Sequence, residues 1–263
     1  MTAEVPAKAA PGLRGPGAER KLDGSRSSLV TDVLAKVIAA RTAGAGQAVL
    51  DIVDVGAGTG GFAVGIASRG HRVTVVDPSP DALSAARWRA AEAGVTLTAV
   101  QGEAADLPAL VGEASADLVI CHNVLEYVDS PSGALSAIAR VLRPGGTVSV
   151  LAANTVAAVL QRALAGKYAE AMAMLPDAAT GVATPQAPGT AARRFTLPEL
   201  TALIEGAGLR PGDAHGIRIF SGLLPAGATD SASADALREL EEAAATCPPL
   251  RDIATRLHIL GHR

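Results

Sequence analysis

The sequence predicts a doubly wound α/β fold, in which a mainly parallel sheet carries helices on both of its faces. Two observations indicate this fold. Short apolar runs alternate with helical stretches, which is the pattern of βαβ units. The apolar runs are continuous, as strands are when both faces of a sheet are covered. A glycine-rich turn after the first strand adds the loop on which such folds bind nucleotides.

The predicted elements alternate regularly along the chain. They are a leading helix at 28–41, strands at 49–55, 73–76, 96–100, 118–121 and 147–151, and intervening helices at 60–68, 80–93 and 130–142. After the fifth strand the alternation stops. We expect residues 154–194 to form a helical insertion, or lid, that ends in a loop rich in Pro, Thr, Gly and Ala.

The last part of the chain returns to the α/β pattern. A helix is predicted at 197–207, a strand from the apolar stretch at 217–220, and a helix at 234–246 that Ser233 would cap. A last short strand is predicted at 257–260. Residues 1–27 are rich in Ala, Pro and Gly, and we interpret them as a flexible tail before one domain at 28–263.

Composition excludes several classes of protein. Aromatic residues make up 2% of the chain and the formal net charge is −3, which argues against an aromatic platform for single-stranded nucleic acid and gives no basic footprint. Docking of a small structured nucleic acid on a local patch is left open. No stretch approaches the roughly 20 apolar residues of a membrane span. The two cysteines, Cys121 and Cys247, are far apart, which argues against a disulfide framework or a zinc site. We therefore expect a soluble, cytoplasmic protein that has no metal; the sequence does not indicate its oligomeric state.

The most informative motif is the run Asp54-Val-Gly-Ala-Gly-Thr-Gly-Gly61 directly after the first strand. Glycines allow a tight turn and close approach of the backbone to a ligand. Read as Gly56-x-Gly58-x-x-Gly61, the run fits the dinucleotide fingerprint, so a nicotinamide-dependent oxidoreductase is one hypothesis. That hypothesis leaves Asp54 unexplained, and the chain has no Tyr-x-x-x-Lys pair.

Acidic residues near this turn favour a different cofactor. Asp54 would repel a pyrophosphate but attract an ammonium or sulfonium group. Asp77 ends the next strand, where a carboxylate accepts both ribose hydroxyls of either cofactor class. The third strand is followed by Gly102–Pro108, which offers polar groups for an adenine edge. We interpret Asp51, the other acid of the first strand, as a surface residue at its end.

These motifs, together with the turn Leu142-Arg-Pro-Gly-Gly146, resemble the class I S-adenosylmethionine (SAM)-dependent methyltransferases. The resemblance implies SAM as cofactor and a seven-stranded sheet of order 3-2-1-4-5-7-6, with the last strand antiparallel. It also implies a set of cofactor contacts, which are Asp54, Gly56, Ala57, Gly58, Gly60, Asp77, Pro78, Glu103, Ala104, Ala105 and His122. Since fold alone does not fix activity, a non-catalytic SAM-binding protein is a further hypothesis.

Within that family, four segments are similar to the bacterial tRNA methyltransferases that esterify uridine-5-oxyacetic acid at the wobble position. They are Cys121–Val128, Gly166–Tyr168, Gly216–Phe220 and Leu237–Arg256. The resemblance implies methyl transfer to an oxygen nucleophile, a carboxylate. Where those enzymes have a basic run after the lid, this chain has no cation between Pro176 and Arg193. Because phosphate binding needs clustered Lys or Arg, the acceptor is left open between tRNA and a small acid.

The chemistry needs few catalytic groups. An ionised carboxylate needs no general base, so we expect no catalytic dyad, and alignment supplies much of the rate. His122 is interpreted as a cofactor contact, with a role as base left open. We interpret Glu126 as a structural or helix-starting carboxylate. Four residues are candidates for binding the acceptor, two in the lid and two as a carboxylate clamp: Lys167, Tyr168, Arg194 and Arg218.

Overall fold

The structure is a computed structural model that describes residues 27–45, 48–175, 192–224 and 231–263. Its strands are β1 (Asp51–Val55), β2 (Arg72–Asp77), β3 (Thr98–Gln101), β4 (Ala116–His122), β5 (Leu142–Ala153), β6 (Arg210–Ile217) and β7 (Arg256–His262). Its helices are α1 (Ser27–Ala45), α2 (Gly61–Ala67), α3 (Pro80–Glu92), α4 (Leu107–Val111), α5 (Pro131–Val141), α6 (Thr155–Leu164), α7 (Tyr168–Ala173), α8 (Leu197–Gly206), α9 (Ser231–Ala244) and α10 (Pro248–Arg251). The predicted tail up to residue 26 and residues 176–191 of the predicted insertion lie outside these ranges.

All seven strands form one sheet of order β3-β2-β1-β4-β5-β7-β6. The first five pair in parallel, whereas β7 is antiparallel to both β5 and β6. This confirms the predicted order. Parallel central strands buried on both faces explain why the apolar runs of the sequence are continuous.

The sheet separates two apolar layers. Val53, Val55 and the residues that share their face pack against α4, α5 and α8. Ile52 and its face pack against α1, α2 and α3. The strand alternation therefore distributes neighbouring residues of one strand between the two layers.

Local signals fix several helix starts. Ser79, Ser130 and Thr196 each accept a hydrogen bond from a backbone N–H of the following first turn, and a proline follows each of them at the start of the helix. Thr196 also forms a capping box with Glu199.

Two local expectations are wrong, and helix α4 was not predicted. The sixth strand is Arg210–Ile217, and 217–220 is mainly the bend that follows it. Pro211 and Gly212 disguise this edge strand, and a bulge lies between Pro211 and Ala214. Helix α9 begins at Ser231, so Ser233 lies inside the helix instead of capping it. Helix α4 was not expected, because Pro108 at its start looks like a loop residue.

The carboxyl ends of the parallel strands meet at one edge of the sheet. Strand β6 is antiparallel to β7, as β5 is, so β6 runs in the same direction as β5 and also ends at this edge. The first residue of β7, Arg256, lies between Ala153 and Ile217 there. Ligands of open α/β sheets bind outside this edge, where the strand order reverses between β1 and β4.

The opposite edge carries a structural ion cluster. Asp51 begins β1 and pairs with Arg72 at 2.6 Å and Arg143 at 2.9 Å. Arg143 also pairs with the buried carboxylate of Asp117 at 2.8 Å. The interpretation of Asp51 as an end residue of the strand, and not a cofactor ligand, agrees with this geometry.

Candidate active site

The glycine-rich turn leaves β1 at the carboxyl edge with three successive left-handed glycines. The φ angles of Gly56, Gly58 and Gly60 are +63°, +52° and +74°, values that residues other than glycine rarely adopt. A Cβ on Gly56 would collide with the side chain of Val124, whereas one on Gly58 would meet nothing within 4 Å. The turn therefore packs against the protein at Gly56 and faces open space at Gly58.

Asp77 holds this turn from the neighbouring strand. Its Oδ2 accepts a hydrogen bond from the Gly58 N–H and its Oδ1 accepts one from Ser79 N–H, each at 2.9 Å. Asp77 ends β2, as expected, and is 8% exposed. It is buried because its carboxylate joins two loops. Each carboxylate oxygen has a second lone pair for a ligand.

Asp54 is a buried carboxylate that makes no hydrogen bond or ion pair with the described residues. It is 4% exposed. Burial, and then the charge of Asp77, raise the pKa of Asp54 to about 7. Since an unpaired buried charge is costly, this site is suited to a cationic partner.

The loop after β3 comes to the same edge. The Gln101 side-chain amide donates a hydrogen bond to the Pro78 carbonyl at 3.1 Å, which ties this loop to the one after β2. Glu103 precedes a single 3₁₀ turn at Ala104–Asp106. Ala104 is buried, while Glu103, Ala105 and Pro78 are exposed. The structure thus brings the predicted cofactor residues of three loops together.

His122 ends β4 next to the glycine turn. Its ring meets that of Phe62, in the first turn of α2, edge to face at a centroid distance of 5.2 Å. Its Nε2 lies 2.8 Å from the Ser149 hydroxyl, and its Nδ1 is buried without a partner among the described residues. Burial lowers the pKa of His122 to about 3, so the ring is neutral at pH 7.

A second group of residues collects beside this one, where 192–195 is fixed to the edge of the sheet. The Arg193 N–H donates to the Glu126 carbonyl at 3.0 Å, and the Arg193 guanidinium donates to the carbonyls of Val128 and Asp129. The Phe195 N–H donates to the Ala153 carbonyl at 2.8 Å. These bonds hold Arg194 near the ends of β4 and β5.

Arg194 is half-buried and has no hydrogen bond or ion pair within the part of the chain that the structure describes. Burial, and then the positive charges of Arg162 and Arg256, lower the pKa of its guanidinium. Tyr127 and Glu126 act in the opposite direction. The predicted Arg194 is therefore one of three neighbouring arginines.

Glu126 is the buried anion of this group; a second carboxylate, that of the half-exposed Glu170, pairs with Arg162 at 3.3 Å. Its Oε1 accepts a hydrogen bond from Ala153 N–H at 2.8 Å and lies 3.5 Å from Nη1 of Arg256. Its Oε2 is buried without a partner among the described residues, and burial raises the pKa of the carboxyl. The backbone bond agrees with a structural carboxylate. The helix-start alternative is wrong, because α5 begins only at Pro131.

The other predicted acceptor residues lie further out. Lys167 pairs with Glu170 at 3.2 Å, and Tyr168 is 72% exposed on α7. Arg218 follows β6 with φ of +60°, and its carbonyl accepts a hydrogen bond from Thr255 N–H. Sequence reasoning missed Arg162 and Arg256. The strand order contains a signal for Arg256, because an antiparallel β7 places its first residue at the carboxyl edge.

Other features of the described residues do not compete for the cofactor. A cleft of about 570 Å³ between α5 and α8 is lined by Phe195 and Leu203, among others, and includes none of the glycine turn. The described residues contain no group of three or more His, Cys, Asp or Glu side chains placed to hold a metal ion. None of their helices is long and apolar enough to cross a membrane.

Comparison with known proteins identifies the family. A model of the methyltransferase domain matches residues 53–150, the part that contains the glycine turn, Asp77 and His122. The chain is a SAM-dependent methyltransferase. This finding excludes the oxidoreductase hypothesis, and SAM is the cofactor.

Among curated proteins, the methyltransferase is similar to the tRNA 5-carboxymethoxyuridine methyltransferase of Escherichia coli K12. The two are 27% identical over 81% of this chain and 80% of that protein. A ubiquinone biosynthesis O-methyltransferase of Xylella fastidiosa is 30% identical over 64% of this chain and 63% of its own length. A solved magnesium protoporphyrin IX methyltransferase from Synechocystis PCC 6803, with bound S-adenosylhomocysteine, has a TM-score of 0.55. It shares 16% identity over 88% of this chain and 82% of that chain, and shows the fold alone.

Proposed function

We propose that this methyltransferase moves the methyl group of SAM to an oxygen nucleophile, a carboxylate, that binds beside Arg194. One observation carries the proposal. Arg194 is half-buried, without an anionic partner among the described residues, and near Arg162 and Arg256. Like charges that are partly desolvated repel one another, and a bound anion relieves this repulsion. A planar carboxylate suits a guanidinium because it accepts two parallel hydrogen bonds.

The cofactor side of the proposal rests on the fit of the residues to SAM. Asp54 would accept the ammonium group, and Asp77 the two ribose hydroxyls through its remaining lone pairs. The open side of Gly58 would admit the ligand against the backbone. The other proposed contacts are Gly56, Ala57, Gly60, Pro78, Glu103, Ala104, Ala105 and His122.

The residues present need only bind and align the reactants. When bound, SAM supplies an electrophilic methyl group; its C–S bond breaks as a C–O bond forms, giving S-adenosylhomocysteine and a methyl ester. Arg194 would hold the carboxylate in line with that bond, since alignment supplies much of the acceleration of such displacements. The acceptor is already ionised at pH 7, as its reference pKa is about 4, so no residue has to remove a proton.

A tRNA and a small acid need different amounts of positive charge at the acceptor site. The similar protein from E. coli is named for a tRNA nucleoside that carries a carboxymethoxy group. The arginines near Arg194 suit one carboxylate, but a tRNA also needs cations for several phosphates.

We propose residues 154–194, with Lys167 and Tyr168, as the segment that covers the acceptor, with Arg218 as an outer contact.

The test is transfer of labelled methyl from SAM to total tRNA and, separately, to a pool of small organic acids. We expect label that mild alkali releases as methanol, because a methyl ester is alkali-labile. Alkali-stable label on nitrogen or carbon would contradict the carboxylate proposal. High salt should reduce transfer to tRNA strongly and to a small acid little.

Variants of one residue locate the acceptor. Arg194→Ala should raise the KM for the labelled fraction by roughly tenfold, because a charge-assisted bond contributes about 1.5–3 kcal/mol, and should leave SAM affinity unchanged. Arg238→Ala is the matched control. That arginine pairs with Glu242 on the surface of α9 at 2.9 Å and is not among the charges that act on Arg194. An unchanged KM in the Arg194 variant would place the acceptor elsewhere.

A further inference from the structure

Four polar side chains form a continuous row across β4, β5, β7 and β6. His122 Nε2 lies 2.8 Å from Ser149 Oγ, and Ser149 Oγ lies 2.8 Å from His258 Nε2. His258 Nδ1 lies 3.3 Å from His215 Nδ1. Ser149 and His258 are fully buried, at 0% exposure, and the two ends are 8% and 9% exposed. Three strand spacings, roughly 14 Å, separate the ends.

The row has only two consistent arrangements of protons when its members are neutral. The Ser149 hydroxyl has one hydrogen, so it donates to one histidine and accepts from the other. In the first arrangement it donates to His122, which leaves the proton of His122 on Nδ1. In the second it donates to His258 and accepts from His122 Nε2, which leaves Nδ1 of His122 as an acceptor.

A charge on His215 selects the first arrangement. A charged His215 carries protons on both ring nitrogens, so its Nδ1–H must donate to His258 Nδ1. His258 then donates from Nε2 to Ser149, and Ser149 donates to His122 Nε2. The proton of His122 is thereby fixed on Nδ1, although His122 itself stays neutral.

The ends of the row differ in their ability to take up a proton. Burial lowers the pKa of His258 well below its usual value, with further lowering from His122 and His215. Burial also lowers the pKa of His215, which faces Asp213 on β6, Lys36 on α1 and Arg251 on α10. Of these neighbours Asp213 raises the His215 pKa, and the two cations lower it.

We propose that Ser149, His258 and His215 are positioning residues for His122, and that the charge on His215 sets whether Nδ1 of His122 donates or accepts a hydrogen bond toward the cofactor site. This inference rests on the proposed cofactor site beside His122. There Asp54 would bind the ammonium group of the cofactor's methionine moiety. The carboxylate of the same moiety is then the partner for an Nδ1–H donor of His122. Charging His215 therefore favours SAM binding.

The first test is SAM affinity, measured by calorimetry between pH 5.5 and pH 8 for the wild type and Ser149→Ala. The Ser149 substitution breaks the row without removing an ionisable group. The dissociation constant of Ser149→Ala divided by that of the wild type should be larger at pH 5.5 than at pH 7.5 by about threefold or more, since one hydrogen bond is matched or mismatched. Titration of Asp54 affects both proteins and cancels in the ratio.

Thr147→Val is the matched control. Thr147 is also buried on β5, two residues from Ser149, but its hydroxyl contacts His262 Nδ1 at 3.1 Å and not the row. Its affinity ratio to the wild type should not vary with pH. Ser149→Thr keeps the hydroxyl and should restore the wild-type profile. In a His215→Gln background, adding Ser149→Ala should change the SAM dissociation constant by a factor that does not vary with pH, because no charge can form at residue 215.

The second test is the ¹⁵N spectrum of the labelled histidines, which reports which ring nitrogen carries the proton. As His215 becomes charged, His122 in the wild type should show a proton on Nδ1, and Ser149→Ala should lose this link. A ratio that is independent of pH, or a proton on Nε2 of His122 while His215 is charged, would overturn the inference. Absence of any SAM binding in the wild type would instead overturn the proposed function.

Discussion

The two halves of the candidate site carry opposite charge. The cofactor side has two buried carboxylates, Asp54 and Asp77, and the acceptor side has three arginines, two of which act on Glu126. The signs match what we propose to bind on each side, a ligand with ammonium and sulfonium groups on the first and a carboxylate on the second. The difference teaches that one sheet edge binds two reactants of opposite charge by keeping its charged residues in separate groups.

The halves also differ in how the chain builds them. The cofactor side comes from consecutive βα loops between Asp54 and His122. The acceptor side comes from α6, residues 192–195, the loop after β4 and the start of β7. Substitutions on one side should therefore leave the other side intact, which the following experiments test.

The largest effect is expected for Asp77→Ala. The variant loses two proposed bonds to ribose hydroxyls and the observed bonds from Gly58 N–H and Ser79 N–H. SAM affinity should fall by roughly 30-fold or more, because bonds to a charged group contribute about 1.5–3 kcal/mol each. Calorimetry gives the affinity, and thermal unfolding should show a lower Tm, since the glycine turn loses its anchor.

Asp77→Asn keeps the size and shape of the side chain but removes its charge and one of its acceptor oxygens. Both oxygens of Asp77 accept backbone N–H groups, so the NH₂ of an asparagine would face one of these donors without an acceptor. We expect this variant to bind SAM nearly as weakly as Asp77→Ala. Affinity within twofold of the wild type in either variant would remove Asp77 from the cofactor site.

An intermediate effect is expected for Arg256→Gln, which tests the acceptor side. Arg256 lies near Glu126 and acts on Arg194, whereas Arg218 is not among the charges that lower the Arg194 pKa. The KM for the methyl acceptor should rise by roughly tenfold in Arg256→Gln and by less in Arg218→Gln. SAM affinity should stay constant in both. The reverse order of the two KM values would favour the clamp expected from the sequence.

The geometry of the cofactor-side loops can be predicted from the sequence because its signals are local, while the contacts to the cofactor stay predictions. Gly56, Gly58 and Gly60 mark a left-handed turn, and Asp77 marks a strand end, within one stretch of chain. The sheet order followed from the family resemblance that these motifs carry. The acidic pair in β1 was also resolved, since Asp51 lies at the opposite edge with its arginine partners.

The acceptor side was predicted only in part, because its residues meet through tertiary contacts. The role of Arg194 stays a prediction, and its neighbours Arg162 and Arg256 have no local motif from which the sequence could have predicted them. The predicted position of strand β6 was too far along the chain, because Pro211 and Gly212 are poor strand formers and the true position depends on pairing with β7. The histidine row was missed for the same reason, since its four members lie on four different strands.

The smallest change in affinity is expected for Asp54→Asn, which also reverses the usual relation between binding and stability. The folded-state pKa of Asp54 is about 7, above the reference value of 3.8. Between these values the native state binds more protons than the unfolded state, so this group makes the protein less stable as pH rises from about 4 to about 7. The full cost, up to about 4 kcal/mol, is present above pH 7.

An asparagine has no charge to bury, so Asp54→Asn should raise the Tm at pH 8 and leave it nearly unchanged at pH 4, where Asp54 is protonated. SAM affinity should fall by roughly threefold to tenfold at pH 8, because the ammonium loses its anionic partner, and should lose its rise between pH 6 and pH 8. Thermal unfolding and calorimetry at the three pH values measure both effects. A lower Tm at pH 8 would mean that Asp54 has a stabilising partner in the free protein, and unchanged affinity would mean that the ammonium binds elsewhere.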